Sequence, residues 1–121
     1  MTRVCIRCKE PKQLAEMHQT KTRVYGYCKP CLYQLQMIRW NRQKVRAIQY
    51  LGGKCQKCGF IGHAVLFDFD HRDPATRQFN WNKLRLRSWE GIKRELDKCD
   101  LLCVYCHRLR HLNPKIWPDV K

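Results

Sequence analysis

Asp70, His71 and His107 combine one hard carboxylate oxygen with two imidazoles, the donor types that bind a divalent cation and move a proton. Asp70 and His107 suit the same cation as oxygen and nitrogen ligands. Asp70 and His71 are neighbours in a β-prone run, and adjacent strand side chains point to opposite faces. His71 therefore need not share that ion and suits a general base. His111 follows His107 by one helical turn, which makes it either a third ligand or a surface residue facing an anion. Asp68 lies two residues before Asp70 on the same strand face, either as an added ligand or as a carboxylate outside the metal shell.

What must bring these residues together is written in the cysteines. Of nine, eight form C-x-x-C pairs, Cys5/Cys8, Cys28/Cys31, Cys55/Cys58 and Cys103/Cys106, with Cys99 left over. A secreted disulfide framework is one reading. It fits poorly with the odd count and with an N-terminus, Met-Thr-Arg-Val-Cys-Ile-Arg-Cys, that has no apolar run of signal-peptide length. Zinc fits better, because two such pairs close one tetrahedral site, so two structural Zn2+ and a reducing, cytoplasmic setting are expected. Cys99 is expected to pack as a small apolar side chain. With Cys55, Cys58, Cys103 and Cys106 on one zinc, His107 projects from backbone that the ion itself holds, close to the strand end carrying Asp70 and His71.

Charge points to the guest. Lys and Arg number 25 against 10 acids, a formal +15. Two four-thiolate zinc sites lower this only to about +11. From Met17 to Phe67 there is no acid, while nine Lys and Arg lie in that stretch. Such a field attracts polyanions, nucleic acid first. No apolar segment approaches the roughly 20 residues of a membrane span. A metal, a base and a basic cleft are what hydrolysis of a phosphodiester requires.

The elements that position these groups follow from pattern. Residues 1–31 read as a four-cysteine zinc knuckle with a hairpin or short helix between its pairs. Residues 32–53 read as a connecting helix over Leu32–Leu51, stopped by Gly52-Gly53. Leu35, Ile38, Val45 and Ile48 form its expected apolar stripe; Arg39, Arg42 and Arg46 share another face and, with no acid to pair them, are expected to contact phosphates. Residues 54–112 form the second module: a knuckle at Cys55–Cys58, a strand over Ala64–Phe69, a helix capped by Ser88 through Lys98, a strand over Asp100–Cys103 and a helix over Val104–Leu112. Arg72 and Arg77, in the insert after His71, are expected DNA contacts. His18 and His63 read as solvated loop residues. Trp40, Trp81, Trp89 and Trp117 suit either base stacking or core packing, with packing preferred for Trp89. Residues 113–121, with Pro114 and Pro118, read as an irregular tail.

Cys55-x-x-Cys58, then Leu66-Phe-Asp-Phe-Asp-His-Arg-Asp-Pro74, then Glu95-Leu-Asp-Lys-Cys-Asp-Leu-Leu-Cys-Val-Tyr-Cys-His107 resembles an HNH endonuclease of the zinc-stapled type common in bacteriophages, which includes relatives of recombination endonuclease VII. The segment from Cys5 to Cys31 and its basic helix is also similar to segments preceding such cores. The resemblance implies an α+β fold: a small ββα-metal core stapled by a four-cysteine zinc site, preceded by the zinc knuckle and the basic helix. It implies Asp70 and His107 as ligands of one catalytic divalent ion (Mg2+ or Mn2+), His71 as general base, and His111 as a further ligand of some branches, such as colicin-type nucleases. The family's central Asn, which orients the base, falls nine residues before the last His, where this chain has Lys98. In its place Lys98 is expected on the scissile phosphate, with a backbone carbonyl orienting His71.

The expected function is thus a metal-dependent DNA endonuclease. A monomer has one site and should nick; cutting both strands calls for a homodimer. The alternatives are a zinc-knuckle regulator that binds DNA or RNA without cutting it, and a resolvase of branched DNA.

Overall fold

The computed structural model describes residues 1–120, and its contacts divide the chain into two compact units, Met1–Trp40 and the remainder from Asn41.

In the first unit, β1 (Thr2–Val4) pairs antiparallel with β2 (Pro11–Gln13), and β3 (Met17–Gln19) with β4 (Val24–Cys28). So short a segment cannot bury an apolar core, and its buried cluster is Cys5, Met17, Cys28 and Cys31 with Val24 against it. The Cys5–Cys8 turn closes through Lys9, at φ 63°, whose N–H donates to the Cys5 carbonyl at 2.9 Å.

Helix α1 (Lys29–Tyr50) starts earlier than the sequence suggests. Pro30 sits in its first turn, where a missing N–H removes no helical hydrogen bond, so the second thiol pair straddles the helix start. Its end is as expected: Gly52 and Gly53 hold φ of 107° and 77°, and the Gly53 N–H returns to the Ile48 carbonyl at 2.9 Å. The expected apolar stripe is not a continuous buried seam. Ile38 and Val45 are 39% and 42% exposed, whereas Ile48 of the stripe is buried as expected and Ala47, outside the stripe, is buried beside it.

In the second unit, β5 (Phe67–His71) pairs antiparallel with β6 (Cys99–Cys103) in unbroken register, from Phe67↔Cys103 to His71↔Cys99. Helix α4 (Val104–Arg110) follows β6 directly, completing a β-β-α order. Two helices lie between the strands, α2 (Trp81–Leu84), which pattern reading did not anticipate, and α3 (Trp89–Leu96). Ser88 caps α3 as expected, its hydroxyl accepting the Gly91 N–H at 3.3 Å. The strand predicted over Ala64–Phe69 starts three residues later and ends two later, because Phe67 faces the last residue of β6 before α4 begins. Ala64–Leu66, with no strand opposite, closes into a single 3-10 turn.

One buried cluster gathers Ile48, Cys55, Phe67, Leu101, Leu102, Cys103 and Cys106; another joins Ala47, Leu84, Ile92 and Leu96, with Phe69, Trp81 and Trp89 packed against it. No helix among the described residues is long and apolar enough to cross a membrane.

Candidate metal centre and catalytic cleft

The eight paired cysteines form two groups of four, Cys5/Cys8/Cys28/Cys31 and Cys55/Cys58/Cys103/Cys106, each with its sulfurs within 4.8 Å of one another. Cys58 and Cys103 Sγ lie 3.7 Å apart. Four sulfurs about 2.3 Å from a central ion sit about 3.8 Å from each other, so this spacing is that of a closed tetrahedral zinc site. Backbone N–H groups already face the sulfurs: Cys28 donates to Cys5 at 3.4 Å, and Cys106 to Cys103 at 3.4 Å. The Cys28 and Cys8 amides draw the Cys5 thiol down to about 6, toward the ligating thiolate. No cysteine is in a disulfide.

The second cluster also builds the other site. Cys103 caps α4 through its sulfur, and Cys106 in the first turns of that helix is buried, so the four-cysteine group fixes the helix from which His107 projects. His107, Arg110 and His111 recur at i, i+3 and i+4 and share one face. That face meets the carboxylates of β5. His111 Nε2 lies 2.9 Å and His107 Nε2 3.4 Å from the same oxygen, Asp70 Oδ1. Donors at about 2.1 Å from one cation stand about 3.0 to 3.4 Å apart, and the two contacts to Asp70 Oδ1 lie close to that spacing. The expected set Asp70, His107 and His111 is therefore brought together. Asp68 Oδ2 lies 2.9 Å from His107 Nδ1, on the side of the ring opposite the Nε2 that is turned toward Asp70.

Asp70 is 7% exposed. Burial alone raises its carboxyl, but His111 and Arg110 outweigh that and hold it below the usual carboxylate value. Arg110 Nη1 bonds Asp70 Oδ2 at 2.9 Å and Asp100 Oδ2 at 2.9 Å, leaving Oδ1 to the imidazoles.

His71 points the other way along β5, as strand alternation requires, and lies outside the metal-capable group. Its Nε2 sits 2.6 Å from Glu95 Oε1. Lys98 Nζ bonds the other Glu95 oxygen at 3.1 Å and the Thr76 carbonyl at 3.2 Å. Lys98, expected on the scissile phosphate, thus reaches His71 through a carboxylate. His71 and the metal ligands line one cleft of about 580 Å3, together with Lys44, Arg77, Asn80 and Trp81.

The expected phosphate contacts divide. Arg39, Arg42 and Arg77 are exposed. Arg46, exposed like the others, stacks on Trp89, 3.9 Å from the ring centre, and Trp89 also meets Tyr50 edge-on. Arg72 holds the Cys99 carbonyl at 3.0 Å, Asp100 at 3.3 Å and the Asp97 carbonyl, bracing the strand end. Trp81 packs on Phe69 at 5.1 Å, His18 on Tyr25 at 4.9 Å, and His63 is exposed. Cys99 is buried, and burial pushes its thiol up to about 12, as its expected packing role requires.

Sequence reasoning missed Glu95, Arg110 and Lys44. Glu95 had a signal: it lies on the Ile92–Leu96 face of an amphipathic helix, where a carboxylate must be buried and hence partnered. Arg110 had one too, at i+3 from His107. Lys44 was hidden by the arginine stripe, although it shares the face of Ile48, one turn on. Burial lowers its ammonium pKa, with Asp68 opposing that shift.

The chain matches no family model, no curated protein and no solved structure.

Proposed function

We propose that this chain is a metal-dependent DNA endonuclease of the HNH type, stapled by two structural Zn2+. One arrangement carries the reading: two imidazoles converge on a buried carboxylate oxygen, while a third, His71, is held by its own carboxylate in the same cleft. A nucleic-acid binder needs the positive charge and the cysteine clusters, but has no use for a braced imidazole beside a metal-capable triad.

Asp70, His107 and His111 would hold the ion. A divalent cation held there would supply positive charge to offset what develops on the phosphate and its leaving 3′ oxygen. The second imidazole makes this donor set better suited to Mn2+ than to Mg2+. His71 donates its Nε2–H to Glu95, so Nδ1 is the nitrogen with a lone pair, and it takes the proton of the attacking water. Asp68 keeps His107 in the tautomer whose Nε2 is a donor to the ion. Lys44 and Arg77 add positive charge to the cleft walls, where a phosphate backbone would lie.

Supercoiled plasmid incubated with Mn2+ or Mg2+, with wild-type chain and with His71→Ala, tests this. Nicking should be faster with Mn2+ and should fall by 10²-fold or more in the variant, while plasmid binding survives. Binding without nicking under every divalent ion would leave the zinc-knuckle binder as the correct reading.

A further inference from the structure

We infer that Glu95 is the positioning residue of the base: its carboxylate, itself oriented by Lys98, sets both the direction and the tautomer of His71. The inference rests on the nuclease reading for its kinetic consequences, but not for its geometry.

Glu95 is 2% exposed, the most deeply buried acid among the described residues. A carboxylate in that position is costly unless its lone pairs are filled, and here both oxygens have partners. Oε1 accepts from His71 Nε2 at 2.6 Å and from the Gln78 N–H at 3.0 Å. Oε2 accepts from Lys98 Nζ at 3.1 Å. A carboxylate has no proton of its own to offer, so the hydrogen on the short His71 contact belongs to Nε2. Nδ1 must then be the bare nitrogen. The opposite tautomer would set a lone pair against the carboxylate and put a proton where the base needs an acceptor.

Lys98 gives the arrangement its direction. It draws one oxygen of Glu95 toward itself and the Thr76 carbonyl, which turns the other toward His71 and the Gln78 amide. The elements concerned are far apart in sequence: β5 carries the base, α3 the carboxylate, and the insert between them supplies the amide and carbonyl. One buried group thus fastens the insert and aligns the imidazole. The backbone carbonyl expected for that purpose is not what His71 Nε2 meets.

Two substitutions separate positioning from structural support. Glu95→Gln keeps an oxygen that accepts the Nε2–H but removes the charge; Glu95→Met keeps the length and removes the acceptor. With folding checked by circular dichroism and zinc content, kcat for plasmid nicking should fall about tenfold in the first and about 10²-fold or more in the second. KM and Mn2+ affinity should stay at wild-type values, since neither variant touches Asp70, His107 or His111. In a His71→Ala background, Glu95→Met should cost nothing further, because a residue acting through His71 has nothing left to act on. An equal loss in both backgrounds overturns the inference.

The second measurement needs no activity. Long-range nitrogen–proton correlation spectra of the folded wild-type chain should show His71 protonated on Nε2, and Glu95→Met should lose that preference. Protonation on Nδ1 in wild type overturns the inference, whatever the chain does to DNA. A wild-type chain that nicks nothing overturns the nuclease reading alone, and the spectrum still decides the role of Glu95.

Discussion

His107 Nδ1 lies 2.9 Å from Asp68 Oδ2 while its Nε2 faces Asp70 Oδ1 at 3.4 Å, so one ring bridges two carboxylates of the same strand. Partners of this kind raise the basicity of a metal-bound histidine and fix its plane. Asp68→Ala should therefore weaken Mn2+ binding by roughly 10- to 100-fold in titration calorimetry, with the fold intact. An unchanged affinity would show that His107 needs no such partner.

Glu95 should reveal itself in acid. Burial raises its carboxyl, but the Gln78 amide, His71 and Lys98 overcome this and bring it from 4.5 down to about 2. Its folded value is depressed, so its stabilisation is complete above about 4.5 and is lost as pH falls from there toward 2. The full effect is of the order of 3 kcal/mol. Glu95→Gln has no such titration. The melting-temperature gap between wild type and this variant should close as pH falls below about 4.5. Both proteins share the same cysteine clusters, so zinc release affects them alike. A gap that stays constant down to pH 3 contradicts the assignment.

Arginines on α1 should separate by partner. Arg46→Ala removes the stack on Trp89 and should cost about 0.5 to 1 kcal/mol of stability in denaturant melts, with little change in DNA affinity. Arg42→Ala should leave stability alone, weaken DNA binding uniformly across sequences and reduce the slope of log K against log salt by about 1. Equal effects in both assays would mean that the stack opens on DNA.

Two zinc ions per chain are expected by mass spectrometry under native conditions. Cys103→Ala should leave one, and should cost Mn2+ affinity as well, because Cys103 both completes the second cluster and caps the helix bearing His107 and His111. Cys8→Ala should also leave one zinc, with Mn2+ affinity at the wild-type value. The pair of substitutions thereby assigns the support of the metal centre to one cluster.

Much of this arrangement was legible in the chain, for local reasons. Paired thiols two residues apart can meet one ion wherever they fall. Gly52-Gly53 ends a helix because their positive φ suits glycine, and Ser88 starts one because its hydroxyl meets the Gly91 amide. His107 and His111 were placed on one face by helical period, and Asp70 and His71 on opposite faces by strand period. These are properties of neighbours, and sequence states neighbours directly.

Partnerships across the fold were not legible. Asp68 meets His107 from 39 positions away, and His71 meets Glu95 from 24. Arg72 bonds the Cys99 carbonyl and Asp100 of β6, while Arg110 spans Asp70 and Asp100. Each depends on the register of β5 against β6 and on which side of that ribbon α3 and α4 pack. A one-residue slip would exchange the faces of Asp70 and His71 and dissolve both groups. The sequence by itself determined which residues could bind metal, where Gly52-Gly53 ends α1 and where Ser88 starts α3. Only the tertiary structure decided that a buried glutamate, and not an amide or a carbonyl, holds the imidazole, because burial and register together chose the partner.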